Sequence, residues 1–167
     1  MKIQPLFISQ FASLIFGIIL VQGCQQNIDQ PYPYRTWSHY NGDKMGSKYS
    51  ALDQINRNNV RDLKIKWKFN TGDLPESAYS NMECNPLIID HVVYLTSPTI
   101  AVIAVDGPSG TELWRYETHP GLKNRGTSRG LAYWEKNDTT RLFFSKGNYL
   151  YCLDAQEGEL ISTFGQE

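Results

Sequence analysis

The chain has 167 residues, 41% hydrophobic and 13% aromatic, with 16 Lys and Arg against 17 Asp and Glu and a formal net charge of -1. Its 10 Tyr, 7 Phe and 4 Trp supply enough apolar surface for a core, which argues against wholesale disorder. A near-neutral chain with scattered basic residues has no electrostatic footprint for nucleic acid, so that class of partner is excluded.

The N-terminal segment carries one charge, Lys2, ahead of an apolar run from Phe11 to Val21. That run is too short to cross a bilayer, which takes about 20 apolar residues, so residues 1–23 are expected to be an export signal that is removed. Gly23 immediately before Cys24 resembles the cleavage position of a bacterial lipoprotein signal, with Cys24 lipidated as the new N-terminus. An ordinary secretory leader with an incidental cysteine is the alternative; either places the mature chain outside the cytoplasm. Removing the leader takes away Lys2 alone, so the net charge moves from -1 to -2. Cys84 and Cys152 then remain, too few for a disulfide framework or a metal cluster, and two small buried thiols are favoured over a bridge.

Residues 24–36 are polar and proline-bearing, as expected of a tether between an anchor and a folded body. From Trp37 to Asn59 the composition, rich in Gly, Ser, Asn and Tyr, predicts an ordered but irregular lead-in. Leu63, Ile65, Trp67 and Phe69 then alternate with Lys64, Lys66 and Lys68, a period of two that predicts a strand with one wet face. The lysines read as a solvated face rather than a binding patch.

Two later segments repeat one another. Val92 to Tyr116 and Thr140 to Phe164 superpose with a shift of 48 positions, which puts Asp106 on Asp154, Gly110 on Gly158, Leu113 on Ile161 and Tyr116 on Phe164. A period of this size made of strand and turn belongs to propeller blades rather than helical solenoids. The first unit parses into strands at Leu87–Ile89, Val92–Leu95, Ala101–Val105 and Thr111–Tyr116; the second into Gly130–Glu135, Arg141–Ser145, Tyr149–Leu153 and Glu159–Phe164. In both, an aspartate ends the third strand and a glycine follows four positions later. The carboxylate can accept backbone N–H bonds inside the turn, and the glycine tolerates the positive φ needed to re-enter a strand. His91 stands where a hairpin normally places glycine, which predicts mild strain. Two such sheets cannot close a ring, and propellers hide their strand edges by closure, so the expectation is a partial structure whose remaining blades lie downstream.

The ordered series Trp37-Ser38-His39-Tyr40-Asn41-Gly42-Asp43, Tyr49-Ser50, Leu52 to Asn56, Asn59-Val60, Leu63 to Trp67 and Thr71-Gly72-Asp73 resembles the opening of the pyrroloquinoline-quinone (PQQ)-dependent alcohol and glucose dehydrogenases. Glu83 to Leu87, Ala104 to Trp114 and Ser128 to Trp134 continue the match in the same order. The resemblance implies an all-β fold. Residues 37–167 would be the first part of an eight-bladed propeller, about two four-stranded blades near residues 84–117 and 129–165, out of about 400 residues in a full set of blades.

The quinone carries three carboxylates, and burying them demands fixed cations and donors. The resemblance places Arg129 at the family's arginine that pairs with a cofactor carboxylate, a task that suits a planar fork. It places Glu83 at the acidic residue beside the cofactor, where it accepts a hydrogen bond or balances Arg129. Thr127 and Ser128 are the nearest candidates for wall contacts. Many relatives have two adjacent cysteines just before the arginine; Lys123 and Asn124 stand here instead, as in glucose-oxidising relatives that also lack the pair, so the upper wall of the pocket is expected to be built differently. His39 and His119 read as ordinary hydrogen-bonded loop histidines.

The resemblance further implies a calcium ion that polarises the quinone, and a catalytic aspartate, both supplied by residues later than Glu167. The chain alone is accordingly expected to be inactive. Its parent is expected to oxidise an alcohol or an aldose in the periplasm, passing electrons to a quinone or a cytochrome c, with a lipid anchor on the membrane. The competing reading is a non-enzymatic propeller lipoprotein that scaffolds outer-membrane assembly. Such a scaffold needs the blade turns but not Glu83, Arg129 or the 37–73 opening.

Overall fold

A computed structural model describes residues 36–73, 82–119 and 126–166. The expected export signal, Cys24, nearly all of the tether, Lys123 and Asn124 lie outside the described residues. The architecture is all-β, a partial propeller of two antiparallel sheets. The first is a four-stranded meander of β1 (Leu87–Ile89), β2 (Val92–Thr96), β3 (Val102–Asp106) and β4 (Glu112–Tyr116). The second contains β5 (Ala132–Lys136), β6 (Thr139–Lys146) and β7 (Tyr149–Asp154).

The turns follow the chemistry of their residues. At the end of β3 the Asp106 carboxylate accepts from the Ser109 amide at 2.7 Å, and Gly110 re-enters the sheet at φ 77°. At the end of β7 Asp154 accepts from the amides of Gln156 at 2.9 Å and Glu157 at 3.2 Å, and Gly158 has φ 72°. The β1–β2 hairpin places both Asp90 (φ 46°) and His91 (φ 70°) in the left-handed region, the strain expected where glycine is missing.

Each turn glycine also lies under a tryptophan from the preceding unit. A Cβ on Gly110 would come within 2.5 Å of the Trp67 ring, and one on Gly158 within 2.5 Å of the Trp114 ring. Trp67 is fixed in place by its Nε1–H, which donates to the Gly107 carbonyl at 2.8 Å. The repeat is therefore a packing device: Trp67, ahead of the first unit, covers the turn of the first, and Trp114 of the first covers the turn of the second.

β3 is buried on both faces, which its run of Val, Ile, Ala and Val anticipates. On one face Val102 and Ala104 join Leu87, Tyr94, Leu142, Phe144 and Leu153 in a core shared by both sheets. On the other, Leu95, Ala101, Ile103 and Val105 are covered by Trp67, Phe69, Cys84 and Val93. The two thiols are unbridged: Cys152 is buried, and Cys84 is half-buried and accepts a hydrogen bond from the Thr96 amide at 3.1 Å. Burial pushes the Cys152 thiol up, so it stays protonated and inert at neutral pH.

Two sequence expectations fail here. Leu63–Phe69 forms no strand: Leu63 and Ile65 are exposed, and only Trp67 and Phe69 bury their rings, against the far face of the first sheet. Alternation reports a potential for a half-buried strand, but a ladder requires a partner edge, and among the described residues this segment pairs with no strand. The fourth strand of the second unit is also absent. Residues 159–164 begin the ladder, with the Ile161 amide donating to the Cys152 carbonyl at 2.9 Å, then turn away as the Phe164 amide bonds to the Ile161 carbonyl at 3.0 Å. The 48-residue shift puts Ser162 where β4 has Trp114, so this segment lacks the indole that holds β4 on the core. Among the described residues the second sheet has three strands.

Ahead of the first blade, the segment from Trp37 to Asn59 is irregular yet ordered, as its composition predicts. Trp37 pairs with Ile88 of β1 through two backbone bonds of 2.8 and 3.0 Å, and the Asp43 carboxylate ties up the amides of Met45 and Ser47.

Candidate functional site

The two sheets meet where Asn85, just before β1, bridges Gly130, just before β5, in parallel register. Both the Asn85 backbone N–H (3.2 Å) and its side-chain Nδ2–H (3.0 Å) donate to the Arg129 carbonyl. Gly130, at φ 130°, is required because a Cβ there would lie 2.8 Å from the Asn85 carbonyl oxygen. The backbone of Arg129 is thus pinned two residues away from Glu83 across the junction. This register brings the two side chains together, with Arg129 Nη1 4.0 Å from Glu83 Oε2.

The arginine side chain is 85% exposed and Glu83 45%. An ion pair this open is worth little to stability. Among the described residues Glu83 is the only ionic partner of this guanidinium, so most of its donors are free to take an anionic ligand. Of the other two candidates, Ser128 is half-buried and its hydroxyl is engaged locally with the amide of Gly130 at 3.3 Å, whereas Thr127 is exposed. His39 bonds to the Ser38 hydroxyl at 2.9 Å, and His119 is exposed. Among the described residues no group of three His, Cys, Asp or Glu side chains gathers to hold a metal ion, and no helix is long and apolar enough to cross a membrane.

A cavity of about 300 Å³ between the sheets is lined by Tyr94, Trp114 and Tyr133 but by neither Glu83 nor Arg129. Burial, helped by Asp90 and Asp154, pushes the Tyr94 phenol up to about 12; burial also raises that of Tyr133. Both stay neutral and supply packing rather than a nucleophile, and the Tyr133 hydroxyl donates to Glu135 at 3.2 Å.

A residue close to the site went unread as functional in the sequence. Asp73 is 7% exposed, and its Oδ2 accepts from both the hydroxyl (2.5 Å) and the amide (3.2 Å) of Thr99, in the corner between β2 and β3. Burial pushes its carboxyl up, but the hydroxyls of Ser97, Thr99 and Thr71 and the Thr99 amide outweigh this and hold it below its ordinary 3.8. Because the folded value is depressed, the stabilisation is complete above the ordinary carboxylate value and is lost as pH falls through the folded one. Two cations belong to this corner: Arg115, whose charge is favoured first by Glu112 and in smaller part by Asp73, and Lys146, bonded to the Thr99 carbonyl at 2.9 Å. Arg115 stays charged throughout this range. Asp73→Asn is therefore expected to be less stable than the parent at pH 6–7 by about 1–2 kcal/mol, a gap that closes below pH 3.8; urea unfolding across pH checks this, and a gap independent of pH would contradict it.

Residues 37–167 match the family model described as the β-propeller domain of glucose, ethanol and alcohol dehydrogenases, the PQQ family. The chain belongs to this family. It is similar to the quinate/shikimate dehydrogenase (quinone) of Acinetobacter baylyi, with 40% identity over 59% of this chain and 12% of that protein. It is also similar to the dehydrogenase subunit of the alcohol dehydrogenase (quinone) of Gluconacetobacter polyoxogenes, with 36% identity over 75% of this chain and 17% of that one. Among solved structures, the quinohemoprotein alcohol dehydrogenase of Comamonas testosteroni superposes with a TM-score of 0.63 and 26% identity, over 81% of this chain and 20% of that chain. The chain thus spans less than a fifth of the length of the two curated relatives.

Proposed function

We propose that this chain forms the opening blades of a PQQ-dependent dehydrogenase that oxidises an alcohol or an aldose in the periplasm. The observation that carries the reading is the meeting of Arg129 and Glu83 at 4.0 Å where the two sheets join, within a chain that belongs to the quinoprotein family. The donor set fits the group: a guanidinium with free donors suits a cofactor carboxylate, and the nearby acid limits the net charge of the junction. Arg129 would hold a carboxylate, Glu83 would accept a hydrogen bond or balance that cation, and Thr127 and Ser128 would border the pocket. When bound, the quinone supplies a two-electron acceptor for the substrate's C–H hydride, and calcium, held by residues beyond this chain, would polarise it. Fixing Arg129 through its backbone, as Asn85 does, orients the anion before any chemistry begins and lowers the ordering cost of binding.

The catalytic base would likewise come from beyond residue 167, so the chain alone would be inactive. Electrons would leave to a quinone or a cytochrome c, and a lipid on Cys24 would hold the enzyme at the membrane. Reconstituting the full-length gene product with PQQ and calcium, then following dye reduction with glucose and simple alcohols, tests the proposal. Activity together with bound-quinone absorbance is expected. Absence of both would remove the enzyme and leave the scaffold reading.

A further inference from the structure

We propose that Asp73 is a positioning residue that sets the spacing of Glu83 and Arg129 by holding the corner Ser97–Ala101 in place; its relevance to a cofactor rests on the quinone reading above. The corner is conformationally costly. Ile100, β-branched, sits in the left-handed region at φ 61°, a conformation that persists only where the surroundings enforce it. The enforcement can be traced. Asp73 Oδ2 receives both polar hydrogens of Thr99, Lys146 Nζ donates to the Thr99 carbonyl at 2.9 Å, and the Ile100 amide closes a tight turn onto the Ser97 carbonyl at 2.9 Å.

From this corner two bonds reach the flanks of the junction. Thr96, immediately before it, donates its amide to Cys84, the neighbour of Glu83, at 3.1 Å. Pro98 accepts from the amide of Gly126 at 3.1 Å, three residues ahead of Arg129. Gly126 lies directly against the Ile100 side chain, and a Cβ there would collide with it. The two segments that carry the acid and the guanidinium are therefore both hung on one strained turn. Asp73 is the anion that closes that turn. It touches neither Glu83 nor Arg129, so it acts on them only through the corner. A buried carboxylate that neutralised nothing and held only a loop would be an expensive tie, whereas one that fixes two sides of an anion site serves the register of that site.

The test uses the full-length gene product, first without cofactor. Hydrogen exchange of Asp73→Ala is expected to quicken in peptides covering 82–85 and 126–130 while the β6–β7 ladder keeps its protection. Asp73→Asn, which retains an oxygen acceptor for Thr99, is expected to restore most of that protection. Titration with PQQ and calcium is then expected to show binding about tenfold weaker in Asp73→Ala, recovered in large part by Asp73→Asn. Should Asp73→Ala fail to fold, Thr99→Val removes the hydroxyl's bond to Asp73 and its 3.4 Å contact with the Ser97 hydroxyl, leaves the amide bond, and is expected to move both readouts in the same direction by less. Exchange that quickens only at 97–101, or uniformly through the protein, overturns the inference, as does unaltered quinone binding in Asp73→Ala. If the parent protein binds no quinone, the functional reading falls, and the exchange pattern alone decides whether Asp73 governs this spacing.

Discussion

Gly158→Ala is expected to cost about 3 kcal/mol of stability. Two penalties add at this position. An L-residue held at φ 72° pays about 1–2 kcal/mol for the left-handed conformation. The new methyl would also lie 2.5 Å from carbons of the Trp114 ring, and overpacking a closed contact costs about 1–3 kcal/mol. Trp114 cannot retreat freely, because it packs into the core shared by the two sheets and stands 5.9 Å from the Tyr94 ring. Gly147→Ala provides the control: its φ is 59°, but nothing lies within 4 Å of the new carbon, so only the conformational penalty, about 1 kcal/mol after the entropic gain of replacing glycine, is expected. Urea midpoints of the two variants in the full-length protein measure the difference. Equal losses would mean that the tryptophan does not close the blade junction.

The same contact explains why so much of the fold was legible in the sequence. Asp106 with Gly110 and Asp154 with Gly158 are local devices: carboxylate, turn amides and positive φ all lie within five residues, so sequence spacing captures them. Strands β1 to β4 appear within a residue or so of their predicted limits because each hairpin supplies its own partner. The two failures have different causes. Leu63–Phe69 has a strand's alternation without an edge to join, and residues 159–164 have a strand's composition except at Ser162, where the indole that would press them on the core is missing. A hydrophobic period records which face a residue prefers and is silent about whether a neighbour exists to satisfy it.

The site was legible in a different way. Neither Glu83 nor Arg129 is distinguished by periodicity; both emerged from resemblance, and their proximity depends on the parallel bridge between Asn85 and Gly130, a pairing 45 positions apart that no local pattern encodes. Asp73 enters the sequence reading only as part of the Thr71-Gly72-Asp73 match and receives no role of its own, for a related reason. It stands in a Thr-Gly-Asp run that reads as an ordinary polar turn, and its buried partner, Thr99, is 26 residues away.

Arg129→Ala is expected to separate binding from folding. The side chain is 85% exposed and its distance from Glu83 is 4.0 Å, so its removal should shift stability by less than about 0.5 kcal/mol. Quinone binding should respond very differently. Under the proposed function a cofactor carboxylate would occupy the junction and exclude water, and the guanidinium would become one half of a desolvated, charge-assisted pair. Truncating one member of such a pair costs about 2–5 kcal/mol, or a factor of at least about 30 in affinity. Arg129→Lys divides that loss into its parts. It keeps the charge and gives up the planar fork, so an intermediate loss of about tenfold is expected if the carboxylate is held by two parallel bonds. Full affinity in the lysine variant would show that charge alone is read at this position. Full affinity in the alanine variant would remove Arg129 from the pocket, and with it the observation on which the quinone assignment of these two blades rests.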